Sequence, residues 1–334
     1  MANRKLNLQD MVFNVKDDPM PKGSWWWWFW LLFFDNPKNP KKPRQLMILW
    51  STKNEKSIDC NGKLMLLGPQ DDRSNMNGAV AAWYFDGEKM NHNFLLEQCR
   101  LKITGNSLAS QSRTPTTFLM DGKKSVVTIG NGLKFTARMT EKCDFTKPDY
   151  RTNHYPLGMN YSLLRVNHLD LDVVLNGEKL KGSAYFQRVF VNSPSPGWYW
   201  GVLHFKKGGV LTYFNPRFMG KSVKQDIVLF DGKDTHRFKR IEVRRIEAGP
   251  FPDFVINGEN ETHTIKFTVV SYEHSSWTFR KRAFGIFPNK LVYNEYPMTV
   301  SDLVLEDKRT GKKITSDDLG FAIGNAEHST GLLL

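Results

Sequence analysis

Two carboxylates in the last third of the sequence interrupt apolar stretches and could act as acids. Glu273 lies between the apolar segment Ile265–Tyr272 and Trp277, and Glu295 is flanked by two tyrosines. If such a carboxyl group is buried, desolvation raises its pKa, and it can then donate a proton near neutral pH as a general acid. An ordinary surface or hairpin carboxylate is the alternative interpretation of each residue.

A histidine shares a predicted strand face with two indoles. If residues 198–205 form a strand, side chains alternate between its faces, which places Trp198, Trp200 and His204 together. The same alternation puts Tyr185 and Gln187 on one face of the preceding strand. These side chains could form an apolar pocket wall with polar handles, although a histidine on an apolar face is also typical of a hydrogen-bonded core residue.

The run Trp25–Phe34 consists of ten apolar residues and contains five of the ten tryptophans. It is too short to cross a bilayer as a helix, which needs about 20 residues. Bulky aromatic residues in an unbroken run predict a strand that is buried on both faces, or one with a core on one side and an apolar cavity on the other. In the second case Trp25 and Trp27 would line a pocket.

Composition narrows the classes of function. The net charge of +13 is typical of general solubility in the first place and of contact with an anionic membrane surface in the second, and nucleic acid is the least favoured partner. No helix-turn-helix, RNA-recognition or zinc-finger pattern accompanies the basic residues, so we expect no nucleic-acid partner. The three cysteines lack CxxC spacing and the eight histidines lack metal-ligand spacing, which predicts a reducing compartment and no metal site. Phosphate-loop, dinucleotide, nucleophile-elbow and zinc-protease motifs are missing, and we expect no cofactor.

Turn dipeptides recur along the whole sequence and predict the fold class. Asn-Gly occurs five times and Asp-Gly three times, and both favour the tight turns of β-hairpins. Strand-like segments lie between them, and no long window has helical periodicity. The sequence therefore predicts an all-β protein. The strands are too many for one eight-stranded barrel, so we expect two β domains in tandem, 1–220 and 221–334.

Several segments together resemble a known family. They are the Trp-rich strand, Asn160-Tyr-Ser162, Gly182-Ser-Ala-Tyr185, the two indoles beside Pro-Gly, and the hairpin from Leu203 through Tyr213. In these the chain resembles the lipocalin-like family of hydroxyneurosporene synthase (carotenoid hydratase), whose relatives include Diels–Alder cyclases. The segments Tyr293-Asn-Glu295-Tyr296 and Leu319-Gly-Phe-Ala are weaker similarities. The resemblance implies two tandem lipocalin-like antiparallel β-barrels with an apolar ligand site inside or between them.

The resemblance also implies cofactor-free chemistry on a large apolar isoprenoid- or polyketide-like substrate. Hydration of a double bond needs a strong acid in a dry site and aromatic faces that shield the cation. Cyclisation needs a shaped apolar cavity with one or two hydrogen-bond donors. The chain departs from the family at Phe186–Phe190, where relatives carry acidic and histidine residues and this sequence has neither.

We therefore expect a hydratase or cyclase in the cytoplasm whose partner is an apolar small molecule or lipid. The candidate catalytic residues are Glu273, Glu295 and His204. The candidate substrate-binding residues are aromatic or polar and comprise Trp25, Trp27, Tyr155, Tyr185, Gln187, Trp198, Trp200, Tyr213 and Trp277. The alternative function is a non-catalytic lipid or isoprenoid carrier that contacts an anionic membrane surface through its basic loops.

Overall fold

The structure is a computed structural model that describes residues 7–15, 20–68, 70, 72–130, 132–154, 160–192, 197–218, 221–222, 225–247, 249–283 and 287–332. These residues form 25 strands and two short helices. In chain order the elements are α1 (Leu8–Phe13), β1 (Trp25–Phe34), β2 (Arg44–Lys53), β3 (Ser57–Cys60), β4 (Lys63–Leu66), β5 (Asn75–Phe85), β6 (Met90–Ile103), β7 (Ser107–Gln111), β8 (Thr116–Asp121), β9 (Lys124–Ile129), β10 (Leu133–Met139), β11 (Asp149–His154), β12 (Asn160–Leu175), β13 (Glu178–Asn192), β14 (Gly197–Phe205), β15 (Val210–Phe218), β16 (Lys221–Ser222), β17 (Asp226–Phe230), β18 (Thr235–Phe238), β19 (Arg240–Glu247), β20 (Pro252–Glu259), β21 (His263–Ser271), β22 (Ser275–Ala283), β23 (Phe287–Asp307), β24 (Lys313–Thr315), α2 (Ser316–Leu319) and β25 (Ala322–Leu332).

The first sheet is a closed antiparallel barrel. Its strand order is β10-β9-β8-β7-β6-β5-β2-β1-β13-β12, and a pairing between β10 and β12 closes the ring, while β11 is added beyond β12. A hydrophobic core fills its interior, with Trp26, Trp28, Trp30, Trp50 and Phe118 among its largest side chains. The barrel is therefore stabilised from within by packed aromatic and aliphatic groups.

The aromatic strand β1 is buried on both faces. Trp26, Trp28 and Trp30 point into the first barrel, whereas Phe29 and Leu31 belong to a different apolar cluster outside it. Because consecutive strand residues point to opposite faces, an unbroken apolar run is what a strand with two buried faces requires. The burial on both faces runs from Trp28 to Phe34, whereas Trp25 and Trp27 at the start of the strand are half-buried, so the pocket interpretation of those two residues stays a prediction.

The second sheet follows the order β18-β17-β15-β14-β25-β23-β21-β20-β19. It curls so that its two ends approach, and the backbone N–H of Ile241 in β19 donates to Oε1 of Gln225, directly before β17. A separate core that includes Tyr199, Leu203 and Tyr213 packs on its inner side. The long strand β23 pairs with β22 along its first half and with β21 along its second half.

The two sheets are joined by a third apolar cluster and by a hairpin. The inter-sheet cluster contains residues of both sheets, among them Phe29, Trp83, Trp200 and Trp277. The hairpin β3–β4 leaves the first sheet and pairs with β22 of the second. The main chain passes from the first sheet to the second between Asn192 and Gly197.

The prediction of an all-β fold with lipocalin-like barrels is confirmed. The division into folding units at residue 220 stays a prediction. Among the described helices, none combines the length and apolar character needed to cross a membrane.

Candidate active site

Two glutamates occupy directly opposite positions in the second sheet. Glu295 of β23 pairs with Glu327 of β25, so the two side chains share one face of the sheet. Glu295 is 0% exposed and Glu327 is 5% exposed. On the same face, Trp200 lies opposite Glu327 in β14, and Ser275 lies opposite Glu295 in β22. This row of side chains faces the inter-sheet cluster.

Indole and phenol groups hold the two carboxyls in place. Nε1 of Trp83 donates to Oε2 of Glu295 at 2.5 Å, and Nε1 of Trp277 donates to the same oxygen at 3.2 Å. Nε1 of Trp198 donates to Oε2 of Glu327 at 2.8 Å. The indole of Trp83 comes from the first sheet, so the site exists only where the two sheets meet.

The hydroxyl of Tyr293 lies between the two carboxyls. Its oxygen is 2.5 Å from Oε1 of Glu327 and 3.3 Å from Oε1 of Glu295. One phenol has a single proton to donate, and the shorter contact directs it to Glu327. A proton on Glu295 then completes the second contact, with the carboxylic acid donating to the phenol oxygen. The three groups form a proton path across the strand pair.

Burial explains why this pair holds a proton. Burial, and after it the nearby charge of Glu327, raise the pKa of Glu295 to about 8 against the opposing effect of the hydrogen bonds with Trp83, Trp277 and Tyr293. Burial likewise raises the pKa of Glu327 to about 7, against the hydrogen bonds from Tyr293 and Trp198. At neutral pH the pair therefore retains at least one proton and is able to act as a general acid.

Half-buried aromatic side chains from both sheets surround one side of the inter-sheet cluster. The ring centroids of Trp25 and Phe279 are 5.1 Å apart, and those of Trp198 and Tyr293 are 5.7 Å apart. These four side chains and that of Trp27 are each only partly buried against the cluster. They offer an apolar surface that leads toward the carboxyl pair.

The structure brings six of the predicted wall residues into or against the inter-sheet cluster: Trp25, Trp27, Tyr185, Trp198, Trp200 and Trp277. The rings of Tyr185 and Trp200 contact each other across the sheets at 5.1 Å, and the Tyr185 hydroxyl donates to Oε1 of Gln187 at 3.0 Å. Their role in binding a ligand stays a prediction. Tyr155 lies outside the described residues.

Two other predicted residues, Tyr213 and Glu273, lie away from the carboxyl pair. Tyr213 is buried in the core of the second sheet, on the opposite side from the carboxyl pair. Glu273 is half-buried, and its Oε1 accepts from the backbone N–H of His274 at 3.1 Å. It is not part of the pair formed by Glu295 and Glu327.

His204 is a buried histidine whose two ring nitrogens are both satisfied. Nε2 donates to the carbonyl of Asn167 at 2.7 Å, which leaves Nδ1 to accept from the hydroxyl of Ser183, also at 2.7 Å. Burial keeps its pKa well below the usual value, so the ring is neutral. This arrangement fits the alternative interpretation from the sequence analysis, a hydrogen-bonded core histidine.

The sequence reasoning missed Glu327. Its strand is rich in small and polar residues and has neither a hydrophobic run nor a turn dipeptide to mark it. The available signal is the alternation Asn325, Glu327, Ser329, which places polar groups at every second position of the segment. Only the pairing of β25 with β23 shows that this acid meets Glu295.

The closed antiparallel barrel and the second curled sheet define a lipocalin-like β protein. The carboxyl pair among indoles, where the two sheets meet, is its candidate site for an apolar ligand. Among solved structures, the chain is similar to a crystal structure of an AttH-type protein from Nitrosomonas europaea whose AttH assignment is provisional. The TM-score is 0.59 with 12% sequence identity, and the match covers 100% of this chain and 99% of that one. At this identity the likeness shows the fold alone.

No protein-family model matches the sequence, and no curated protein sequence matches it. Within the part of the chain that the structure describes, no three histidine, cysteine, aspartate or glutamate side chains are grouped so that they could hold a metal ion.

Proposed function

We propose that this protein is a cofactor-free enzyme that binds a large apolar isoprenoid- or polyketide-like molecule between its two sheets and protonates it with the pair Glu295–Glu327. The protonation starts either the hydration of a double bond or a cyclisation. The observation that supports this most directly is the cross-strand carboxyl pair, which is buried and yet hydrogen-bonded to a phenol that links its two members.

The environment of the pair suits proton transfer to carbon. Apolar surroundings raise the pKa of a carboxylic acid because its charged form is poorly solvated, so the acid keeps its proton at neutral pH and has it available for a bound substrate. The faces of nearby aromatic rings can stabilise a carbocation electrostatically. Because the Tyr293 hydroxyl links the two carboxyls, the proton of the pair can move from one to the other: Glu295 donates to the phenol oxygen while the phenol donates to Glu327.

The same pair serves both reactions of the proposal. In a hydration, the carboxylate left on Glu295 or Glu327 takes a proton from the attacking water and the pair returns to its starting state. In a cyclisation, an internal double bond traps the cation, and the carboxylate removes the proton that is lost afterwards. The fold likeness supports a lipocalin-like barrel, and membership in the hydroxyneurosporene synthase family is part of this proposal.

A non-catalytic carrier is the second candidate, and one observation favours it. Each oxygen of the pair already takes part in a hydrogen bond with a protein group, namely Trp83, Trp198, Trp277 or Tyr293. Such a network could serve only to fix the two sheets against each other. A carrier that docks through its basic loops should also bind vesicles of anionic lipid more weakly as salt increases.

Native mass spectrometry and organic extraction of the purified protein test the proposal first. A co-purified isoprenoid or other apolar molecule supplies the scaffold for turnover assays with the wild type, Glu295→Gln and Glu327→Gln. We expect both variants to bind the molecule and to convert it at least about 100-fold more slowly, the usual contribution of a general acid.

Glu273→Gln is the matched control, since Glu273 is half-buried and outside the pair, and it should retain turnover. If the wild type binds the molecule and leaves it unchanged, the protein is a non-catalytic carrier, and the proposed enzyme function is wrong. A protein that contains no apolar molecule and takes up none from a membrane extract would contradict both functions.

A further inference from the structure

A buried arginine lies on the outer face of the first barrel, at the edge of the inter-sheet cluster. Arg165 of β12 pairs with Gln187 of β13, and Gln187 pairs with Phe29 of β1, so the three side chains form one row across the strands. Phe29 is a member of the inter-sheet cluster. Because the row shares one face of the barrel, Arg165 and Gln187 point to the same side as Phe29.

The guanidinium of Arg165 is only partly satisfied. The residue is 7% exposed, and its Nε donates to Oδ2 of Asp149 at 3.1 Å. Its Nη2 is buried and has no hydrogen-bond partner among the residues that the structure describes. A buried donor of a charged group without a partner is costly, and such groups in proteins usually meet a ligand, a water molecule or an ion.

The carboxylate of Asp149 is shared between Arg165 and a second arginine. The same carboxylate also binds Arg151, through Nε at 3.1 Å and Nη2 at 2.9 Å. Asp226 also acts electrostatically on Arg151. Arg165 therefore shares one carboxylate with a second arginine and keeps a donor available for an anionic or carbonyl oxygen.

Gln187 and Tyr185 connect this arginine to the carboxyl pair. The Tyr185 hydroxyl uses the oxygen of the Gln187 amide, which leaves the amide nitrogen as a second donor beside Arg165. Tyr185 contacts Trp200, and Trp200 lies opposite Glu327. The charges of both Arg165 and Glu327 act on the pKa of Tyr185, after the larger effect of its burial.

We propose that Arg165 and Gln187 form a head-group site for a carboxylate, so that the ligand of the inter-sheet cluster is an apolar acid rather than a plain hydrocarbon. The carboxylate binds Nη2 of Arg165 and the Gln187 amide, and the apolar body extends along Tyr185 and Trp200 toward Glu295 and Glu327. This inference rests on the proposed function, because it assumes that an apolar molecule occupies the space between the sheets.

Binding of cis-parinaric acid, a fluorescent C18 polyene acid, and of its methyl ester tests the site on the intact protein. The two probes have the same apolar body and differ only in the charge of the head. A charged hydrogen bond contributes roughly 1.5–3 kcal/mol, so we expect the acid to bind about 10- to 100-fold more tightly than the ester. Arg165→Gln should bring the acid to the affinity of the ester and leave the ester unchanged.

Two further variants separate the head-group site from general effects. Arg151→Gln removes a positive charge from the same carboxylate at a more exposed side chain, and the preference for the acid should persist. Arg165→Lys retains the charge without the planar fork and should recover part of the preference. Thermal unfolding of each variant shows whether it is folded.

Each other outcome overturns a different statement. Equal binding of acid and ester to the wild type rejects the head-group site and leaves the proposed function intact. A preference for the acid that survives in Arg165→Gln rejects the assignment to Arg165. If neither probe binds the wild type, the apolar inter-sheet site of the proposed function fails together with the head-group site.

Discussion

Glu295 and Glu327 occupy positions where two like charges destabilise a sheet, because directly opposite side chains are only about 5 Å apart. The pair is tolerated because one proton remains on it and because three indoles and a phenol stabilise its oxygens. The same arrangement that keeps the sheet intact gives the site an acid. Stability and chemistry at this point therefore depend on the same proton.

The free energy of unfolding should consequently depend on this pair as pH rises. Burial raises the native pKa values of Glu295 and Glu327 to about 8 and about 7, above the 4.5 of a solvated glutamate. At pH values between 4.5 and these native pKa values, the native state binds more protons than the unfolded chain. The contribution of the pair to stability is therefore fully present below pH 4.5, falls as the pH rises, and is lost once the pH has passed the native pKa values. Each extra proton amounts to about 1.4 kcal/mol per pH unit.

Urea unfolding of the wild type and of Glu295→Gln at pH 5, 6.5 and 8 measures this effect. The variant should lose less stability between pH 5 and 8 than the wild type. The wild type is compared with the variant because the absolute pH dependence has other contributions. Burial lowers the native pKa values of His168 and His204, so these two residues make the protein less stable as the pH falls. Parallel curves for the two proteins would show that the pair does not hold the proton.

Two tryptophans of β1 differ in one hydrogen bond and allow a matched comparison. Nε1 of Trp28 donates to the carbonyl of Val12 at 2.8 Å, while Nε1 of Trp30 is buried without a partner. Both are 0% exposed, so replacement by Phe removes a similar volume from the same core. Trp28→Phe should cost about 1–2 kcal/mol more than Trp30→Phe, because it deprives a carbonyl of its donor. Chemical denaturation of the two variants measures the difference, and equal losses would contradict it.

Sequence alone could identify part of this site. The tyrosines that flank Glu295 and the alternation of Trp198 and Trp200 are visible in the chain itself. Glu327 was not predictable because its importance comes from the register between two strands, and register is set by the whole sheet. The satisfied state of His204 depends on a carbonyl of Asn167, 37 positions earlier in the chain, which no local pattern indicates.

At the scale of elements, the close approach of β25 to β14 near the carboxyl pair depends on a glycine, Gly324. A Cβ on Gly324 would lie 2.2 Å from the carbonyl oxygen of Val202 in β14. The carbonyl of Gly324 also accepts from Nε2 of Gln45 in the first sheet at 2.7 Å. This residue therefore fixes both the β14–β25 spacing and a contact between the sheets.

Gly324→Ala should move β25 away from β14 and destabilise the protein by about 3 kcal/mol, since the clash is with backbone atoms that cannot rotate away. It should also weaken ligand uptake, because Glu327 lies on the displaced strand. Gly105→Ala is the control, as a Cβ there meets nothing within 4 Å. Equal urea midpoints for the two variants would show that the strand spacing is not tight.

Most strands were predictable because turn dipeptides and alternation mark them. The apolar segment Ile265–Tyr272 falls almost wholly within β21 (His263–Ser271), and the predicted strand 198–205 lies within β14. The pairing of the hairpin β3–β4 with β22 could not be predicted. The sequence of this hairpin has an ordinary hairpin pattern, and that pattern does not indicate which distant strand it pairs with.

At the scale of the whole molecule, the two sheets share the inter-sheet cluster and should unfold together. Separation would expose Phe29, Leu31 and Trp83 on one side and Trp200 and Trp277 on the other, all of them buried. Exposure of so much apolar surface is unfavourable, so we expect one calorimetric transition whose measured enthalpy equals the van't Hoff enthalpy. Two resolved transitions would show that the halves are independent domains.

The fragment 1–220 tests the predicted domain boundary directly. It would retain the outward face of β1 and the hairpin β3–β4 but lack β22 and β23. We expect this fragment to self-associate, in contrast to the full chain, with the state of each measured by analytical ultracentrifugation. A stable monomer would support the boundary at residue 220.

The hairpin β3–β4 also has a consequence for how the protein is made. Its partner strand β22 is synthesised roughly 220 residues later, which at ribosomal rates of 5–20 residues per second is a delay of roughly 10–40 s. During that time the hairpin Ser57–Leu66 lacks its partner strand β22, and Leu64 and Leu66 remain 59% and 57% exposed even in the finished protein. The nascent chain thus leaves this hairpin uncovered for most of its synthesis, and this segment is where we expect a chaperone to bind it.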